Sequence, residues 1–210
     1  MKSFLAGVCL VAAAGLVSCA MLSAQENVPA GSLVKNPSFE ERSGAPKDDE
    51  RWGWGFLDGV ARSPFAHWGY SGFWDGGDYD IKLGKGHSGK ACARLVCREK
   101  GRGGICTEAM FAAPGTKLAL RGFFKATNTR GGPCWVNFEG EPGDGWARID
   151  LPNKPDYDWT EVTGTVTVPT PKKMAGDKVE IYLFIYTQSY GELWIDDVTL
   201  TPVEGEAPNK

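Results

Sequence analysis

Histidine is scarce in this chain: His67 and His87 are its only two copies in 210 residues. That removes most of the chemistry that depends on clustered imidazoles. There is no G-x-S-x-G turn for a serine nucleophile, no H-E-x-x-H pair for catalytic zinc and no C-x-x-C. His87 sits between Gly86 and Ser88 and reads as a turn residue rather than a base. Carboxylate pairs for glycoside cleavage are defined by spatial separation, and no particular pair stands out. The chain is therefore read as non-catalytic. Basic blocks are also missing. Against 26 Asp and Glu there are 23 Lys and Arg, a formal charge of −3, so no clustered cations exist to displace counterions from a nucleic acid.

What the chain does have is glycine, 28 copies, and proline, 13, around an ordinary hydrophobic fraction of 42%. With no Ala-rich helical stretch after the first 25 residues, this is the composition of a turn-rich all-β domain.

The N-terminus reads as a targeting segment. Lys2 supplies a positive charge and Phe4 to Val17 is an uncharged apolar run, too short for a membrane span and suited to a signal peptide over residues 1–24. Two endings compete. Leu16-Val17-Ser18-Cys19 has the form of a bacterial lipobox, with Cys19 lipidated as the first mature residue; alternatively, cleavage follows Ala20 or Ala24. The protein is expected to be exported: secreted, periplasmic or lipid-anchored at the cell envelope, with membrane contact only through Cys19. Residues 25–32 read as a linker, 33–202 as one domain and 203–210 as a polar tail.

Four cysteines remain, Cys92, Cys97, Cys106 and Cys134. An even count in an exported chain suggests two disulfides, with three possible pairings. Cys97 to Cys106 reads as a hairpin turning near Gly101-Arg102, which would set these two opposite each other and leave Cys92 with Cys134 by elimination. Four buried free thiols are the alternative.

Period-two runs mark the strands. Lys117 to Ala126 turns Leu118, Leu120, Phe124 and Ala126 inward. Val179 to Thr187 does the same with Val179, Ile181, Leu183 and Ile185. In Leu193 to Thr201, Trp194, Asp196, Val198 and Leu200 share a face. Many strands and no convincing helix predict an all-β, jelly-roll β-sandwich of two antiparallel sheets. The Trp-rich stretch from Gly44 to Gly77 is expected to form long loops.

The candidate ligand site is an outward sheet face. Alternation leaves Trp135, Trp146, Tyr182 and Tyr186 outside, with Arg121, Asn137, Arg148 and Gln188 among them. Aromatic faces pack against sugar C–H groups while amides and guanidinium groups bond the hydroxyls. The competing reading is that loops or another subunit cover these rings. The candidate metal site is Glu40 near the start with Asp196 near the end, hard oxygen donors of the kind calcium takes. A salt bridge to Lys90 or Arg94 is the alternative for Asp196. Asp75-Gly-Gly-Asp78-Tyr-Asp80 also has the outline of a calcium loop, although Asp-Gly runs are common in turns.

Five segments in order carry a resemblance. Leu33-Val-Lys-Asn-Pro-Ser-Phe-Glu40 resembles an opening strand, and Gly86-His-Ser-Gly-Lys-Ala91 a small-residue loop. Leu118 to Ala126 resembles a central strand, Trp159-Thr-Glu-Val-Thr-Gly-Thr-Val a strand opening with Trp, and Leu193-Trp-Ile-Asp-Asp-Val-Thr-Leu200 a closing strand. Together they resemble carbohydrate-binding modules of the family 4/9/22 type, galactose-binding-like jelly rolls. The resemblance implies a structural calcium (Ca2+) on Glu40 and Asp196, completed by main-chain oxygens near Ser88 to Lys90. It also implies a glycan or polysaccharide as the partner. An unusually long Trp-rich insertion and the lack of an attached catalytic domain depart from the family. The alternative function is a structural or adhesion protein of the envelope that contacts other proteins through the same sandwich.

Overall fold

The computed structural model describes residues 29–43, 56–57, 60–61, 63–71, 79–98, 103–140, 145–171 and 176–203 of the protein. In chain order the strands are β1 (Phe56–Leu57), β2 (Val60–Ala61), β3 (Trp68–Ser71), β4 (Tyr79–Leu83), β5 (Ala93–Cys97), β6 (Gly103–Thr107), β7 (Met110–Ala112), β8 (Lys117–Arg130), β9 (Cys134–Glu139), β10 (Gly145–Asp150), β11 (Tyr157–Thr167), β12 (Val179–Thr187) and β13 (Tyr190–Pro202). They build an all-β sandwich of two antiparallel sheets. One sheet runs β10-β9-β12-β6-β3, with β7 also paired to β12; the other runs β11-β8-β13-β5-β4. β1 and β2 pair as a separate small ribbon. The signal-peptide and lipidation readings and the C-terminal residues 204–210 lie outside the described residues.

Side-chain alternation explains the two layers. In β8 the even-numbered residues Leu118, Leu120, Phe124 and Ala126 are buried, while Arg121 is exposed and Phe123 and Lys125 half-buried. Val179, Ile181, Leu183 and Ile185 of β12 face the same core from the other sheet. Burying such side chains is worth about 1.5–3 kcal/mol each, so both strands hold their register firmly.

Three sequence expectations need correction. The stretch from Gly44 to Gly77 is more than loops: β3 joins a sheet, and Phe65 and Trp68 are fully buried against Phe39. The indole N–H of Trp68 donates to Asn36 O at 3.0 Å, so this large side chain is anchored as well as packed. Leu33 to Glu40 is not a strand but a chain of bends. It is tied to β13 by Leu33 N–H to Leu200 O and Val198 N–H to Pro37 O. Asn36 and Phe39 have positive φ, 47° and 58°, which coils the backbone locally instead of extending it.

The third correction concerns parity in β13. Leu193 and Ile195 face the core, and so do Val198 and Leu200. A bulge between Asp196 and Thr199, with Asp197 at φ 50°, absorbs the extra residue and inverts the alternation. Asp196 therefore shares the outer face with Trp194 rather than the inner face with Val198 and Leu200.

Candidate functional site

Three places were assembled from the residues upward: a cradle of oxygens beside Asp196, the outer face of the six-stranded sheet, and a cavity at one end of the sandwich.

At the cradle, the connection from β4 to β5 crosses the outside of β13. Asp196 is fully buried beneath it. Its Oδ2 accepts the N–H groups of His87 at 2.6 Å and Ser88 at 3.1 Å, and its Oδ1 accepts the N–H of Asp197 at 2.9 Å. Glu40 grips the other end of the same loop, with Oε1 accepting the N–H groups of Lys90 at 2.6 Å and Ala91 at 2.8 Å. Asp197 adds acceptors for Ser38 Oγ and Ser88 Oγ at 2.7 and 2.6 Å, and its Oδ2 lies 2.8 Å from His87 Nδ1. Burial, with the neighbouring Asp197 carboxylate, pushes Asp196 up to about 8, against the three backbone N–H bonds that pull it down. Asp197 is itself buried in part, yet the bonds from Ser88, His87 and Ser38 hold it below the usual carboxylate range. Lys90 and Arg94 make no ion pair with Asp196; Arg94 is committed to Glu192.

Gly86 lines this cradle. A Cβ placed there would lie closer than 3.0 Å to each of three oxygens: Ser88 O, Ala91 O and Asp196 Oδ2. A Cβ on Gly89, where φ is +60°, would run into Glu40 Oε1. Main-chain and carboxylate oxygens thus converge on a gap that no side chain fills. Among the described residues no group of three or more His, Cys, Asp or Glu side chains gathers as a metal site, so any cation here would depend on carbonyls. Of the Asp75–Asp80 outline, residues 75–78 lie outside the described residues.

On the outer face of the six-stranded sheet, neighbouring strands bring together Trp135, Asn137, Tyr182, Tyr186 and Arg148. Asn137 sits opposite both Arg148 and Phe184, and Trp135 opposite Tyr186. The rings are not open. Trp135 and Tyr186 are 3% and 5% exposed and pack with Phe184 and Cys106 in a second apolar cluster. The Arg148 guanidinium lies 4.3 Å from the Trp135 ring centroid. Tyr182 is half-buried, with its hydroxyl donating to Glu180. Three predicted members fall elsewhere, Gln188 at the end cavity described below. Arg121 is on the opposite sheet, paired with Glu161 at 2.7 Å. Trp146 sits at a register shift between Gly145 and Ala147, which lets its ring pack inward against Phe138.

The cavity at the sandwich end was not foreseen. It has a volume of about 380 Å³ and is walled by residues 129–134, from the end of β8 to the start of β9, residues 152–155 between β10 and β11, Tyr157, and Ser189 before β13. Its walls are tied down: Thr129 N–H and Oγ1 both donate to Pro155 O, at 2.8 and 2.9 Å, and Leu151 N–H donates to Cys134 O at 3.0 Å. Ser189 Oγ donates to Gly132 O. Burial raises the Cys134 thiol above its ordinary range, against hydrogen bonds with Thr187 and Ser189, and raises the Tyr157 hydroxyl further. That hydroxyl is enclosed without a hydrogen-bond partner. Tyr190, 37% exposed, sets its ring beside Gly131 at the rim. Gln188, a predicted site residue, flanks the rim at Gly132. No pattern in the strands announces this place, since three connections build it; the Gly131-Gly132-Pro133 and Pro152-x-x-Pro155 runs mark only turns.

The expected disulfides are also corrected. No disulfide joins Cys92, Cys97, Cys106 or Cys134, and all four are buried. β5 and β6 lie in different sheets, so no hairpin joins Cys97 to Cys106. Cys97 faces the main core and Cys106 the outer cluster. Cys92 Sγ donates to Lys85 O, while Cys134 Sγ donates to Thr187 Oγ1 at the far end of β12.

No family model matches the chain, and no curated protein matches it in sequence. Solved structures do match in fold. A Stig cyclase from Fischerella sp. TAU, solved with an indole compound, is 17% identical with a TM-score of 0.54, covering 83% of this chain and 99% of that one. An arabinose-bound α-L-arabinofuranosidase is 13% identical with a TM-score of 0.51, covering 82% of this chain. The protein spans only 26% of that enzyme's length. A CBM22-1 xylan-binding domain from Paenibacillus barcinonensis is 14% identical with a TM-score of 0.43, covering 67% of this chain and 88% of that one. The likeness to the cyclase and to part of the arabinofuranosidase is one of fold.

Proposed function

We propose that the protein is a non-catalytic carbohydrate-binding sandwich, exported to or beyond the envelope, that takes its glycan at the end cavity and is braced by calcium at the cradle. The observation that carries this reading is the cavity of about 380 Å³ with the half-exposed Tyr190 ring at its rim. The cavity offers Asn153, Thr129, Ser189 and main-chain groups, with the Tyr190 ring beside Gly131 of its wall, the mixture a sugar needs. The sheet face first expected to do this has its rings closed. The names of matched structures include xylan-binding and arabinose-bound proteins, but a shared fold does not choose a ligand, and the reading rests on the cavity.

Binding fits this cavity better than catalysis. Its wall has no histidine and no carboxylate, and burial holds the Cys134 thiol protonated, so it offers no acid–base pair. The adhesion alternative would favour a broad apolar patch; among the described residues Phe111 and Tyr190 are the exposed large hydrophobics, on β7 and at the start of β13.

At the cradle, Glu40, Asp196 and the carbonyls of Ser88 and Ala91 would hold the ion, matching the hard-oxygen preference of calcium. The bound cation would supply the positive charge that a buried carboxylate lacks. It would lock the β4–β5 connection to the terminal segment of the sandwich. The N-terminal apolar run with Cys19 supports export and a possible lipid anchor.

Affinity electrophoresis through gels carrying different soluble polysaccharides tests the binding function. Retardation by at least one polysaccharide, weakened by Tyr190→Ala, is expected. Unretarded migration throughout a broad panel, with release of reducing ends or capture of a protein partner, would replace this reading by an enzyme or an adhesion subunit.

A further inference from the structure

Four cations on the strands of the sandwich are paired with carboxylates. Arg94 pairs with Glu192, Arg121 with Glu161, Lys125 with Asp158 and Arg148 with Asp150. The end cavity differs. Its wall includes Arg130 and Lys154, from two different connections, and no Asp or Glu. Among the described residues neither cation makes an ion pair. Arg130 donates only to the neutral amide oxygen of Asn128, through Nε at 2.9 Å and through Nη2. Of the carboxylates closest in sequence, Asp158 pairs with Lys125, and Asp156 accepts the neutral Asn128 N–H at 2.7 Å and forms no ion pair with either cation. A chain of net charge −3 thus places two uncompensated positive groups around one concavity.

Chance surface lysines and arginines scatter into solvent. These two are gathered over a pocket whose rigid walls hold them on opposite connections, with a sugar-sized volume between them and an aromatic ring at the rim. A guanidinium keeps free N–H donors in a planar fork suited to an oxyanion, and an ammonium adds a mobile point charge.

We infer that the end cavity selects an acidic sugar residue, one bearing a carboxylate or sulfate, with Arg130 and Lys154 reading its charge. This rests on the glycan-binding reading and specifies the class of ligand within it. A neutral sugar of the same shape would leave both cations without a partner and gain only stacking and hydroxyl contacts.

The test compares uronate oligosaccharides with their methyl esters, which keep the sugar and remove the charge, and adds a sulfated oligosaccharide as a third arm. Each is titrated calorimetrically into the purified protein at low and high salt. Binding of the acid about tenfold tighter than of its ester is expected, with the preference shrinking at high salt. Tighter uronate than sulfate binding identifies carboxylate as the source, and the reverse identifies sulfate. Arg130→Gln with Lys154→Gln should bring acid and ester to the same affinity while the melting temperature stays unchanged, since both side chains are exposed. Equal affinity for acid and ester in the unaltered protein overturns the inference and leaves glycan binding standing. No binding of any charged or neutral glycan overturns both.

Discussion

A Cβ on Gly86 would lie 2.8 Å from Oδ2 of Asp196, in a gap that it would also share with the carbonyls of Ser88 and Ala91. The glycine keeps this space free of side chain, and Asp196 is wholly shielded from water below it. The relation connects a loop in the first half of the chain to the last strand, where three backbone N–H groups hold the buried carboxylate.

Calcium should raise the melting temperature. At free calcium about 100 times Kd the gain is about 2.7 kcal/mol, or about 5–10 °C for a domain of this size. Asp196→Asn keeps an acceptor for His87 and Ser88 but removes the charge, so the variant should melt similarly in chelator and lose the calcium-dependent gain. Thermal scans with and without chelator decide it; an identical calcium response in the variant would remove Asp196 from the ligand set.

Gly86→Ala should lose the same gain by steric means. The added methyl fills the cradle, at a cost of about 1–3 kcal/mol for overpacking. Differential scanning fluorimetry in chelator would reveal the overpacking cost, and titration with calcium the lost site. A fully calcium-responsive alanine variant would mean that the ion sits elsewhere.

Trp135 is a packing residue in this account. Trp135→Ala should cost about 3–5 kcal/mol through the cavity it leaves, whereas Trp135→Phe should fold and bind glycan with unchanged affinity. Loss of binding in a well-folded Trp135→Phe protein would return the site to the sheet face.

Acid should weaken the junction between the N-terminal segment and β3. Burial works to raise Glu108, but hydrogen bonds from Lys35 and His67, at 2.5 and 2.9 Å, outweigh it and hold the carboxylate below its ordinary range. A folded-state value lowered in this way contributes stability that is fully present above the unfolded value of about 4.3 and disappears as pH falls through the folded value. Because Lys35 is 63% exposed, the contribution is small, under about 1 kcal/mol. Glu108→Gln should therefore melt slightly lower than the parent at pH 6, and the two should converge near pH 2–3. A constant gap down to the lowest pH would assign the loss to packing instead of charge.

The strands with unbroken alternation, β8 and β12, were legible in the sequence because both bury every second side chain in one continuous core. The resemblance also singled out Glu40 and Asp196, which the structure sets against the two ends of one loop, residues 87–91. Parity failed wherever a bulge intervened. The letters of Leu193 to Leu200 alternate without interruption, yet Asp197 adopts φ 50° and reverses the faces; a shift beside Gly145 likewise turns Trp146 inward. Cys97 and Cys106 flank what reads as a hairpin, but sheet assignment is a long-range matter, decided by the pairing of β5 with β13 and β6 with β12. Exposure failed at Trp135 for a related reason: period two says which face a ring occupies and nothing about what packs with it there. The end cavity was invisible because its wall gathers strand ends and connections from β8 to β13, which no single alternating run contains.

Chemical-shift mapping during titration with a retained glycan tests the location of binding most directly. Amide shifts should concentrate in residues 129–134, 152–157 and 188–190, leaving Trp135, Asn137 and Arg148 at most slightly moved. Shifts concentrated instead on Asn137, Arg148 and Tyr182, with the end connections silent, would contradict the account and restore the sheet face as the binding surface.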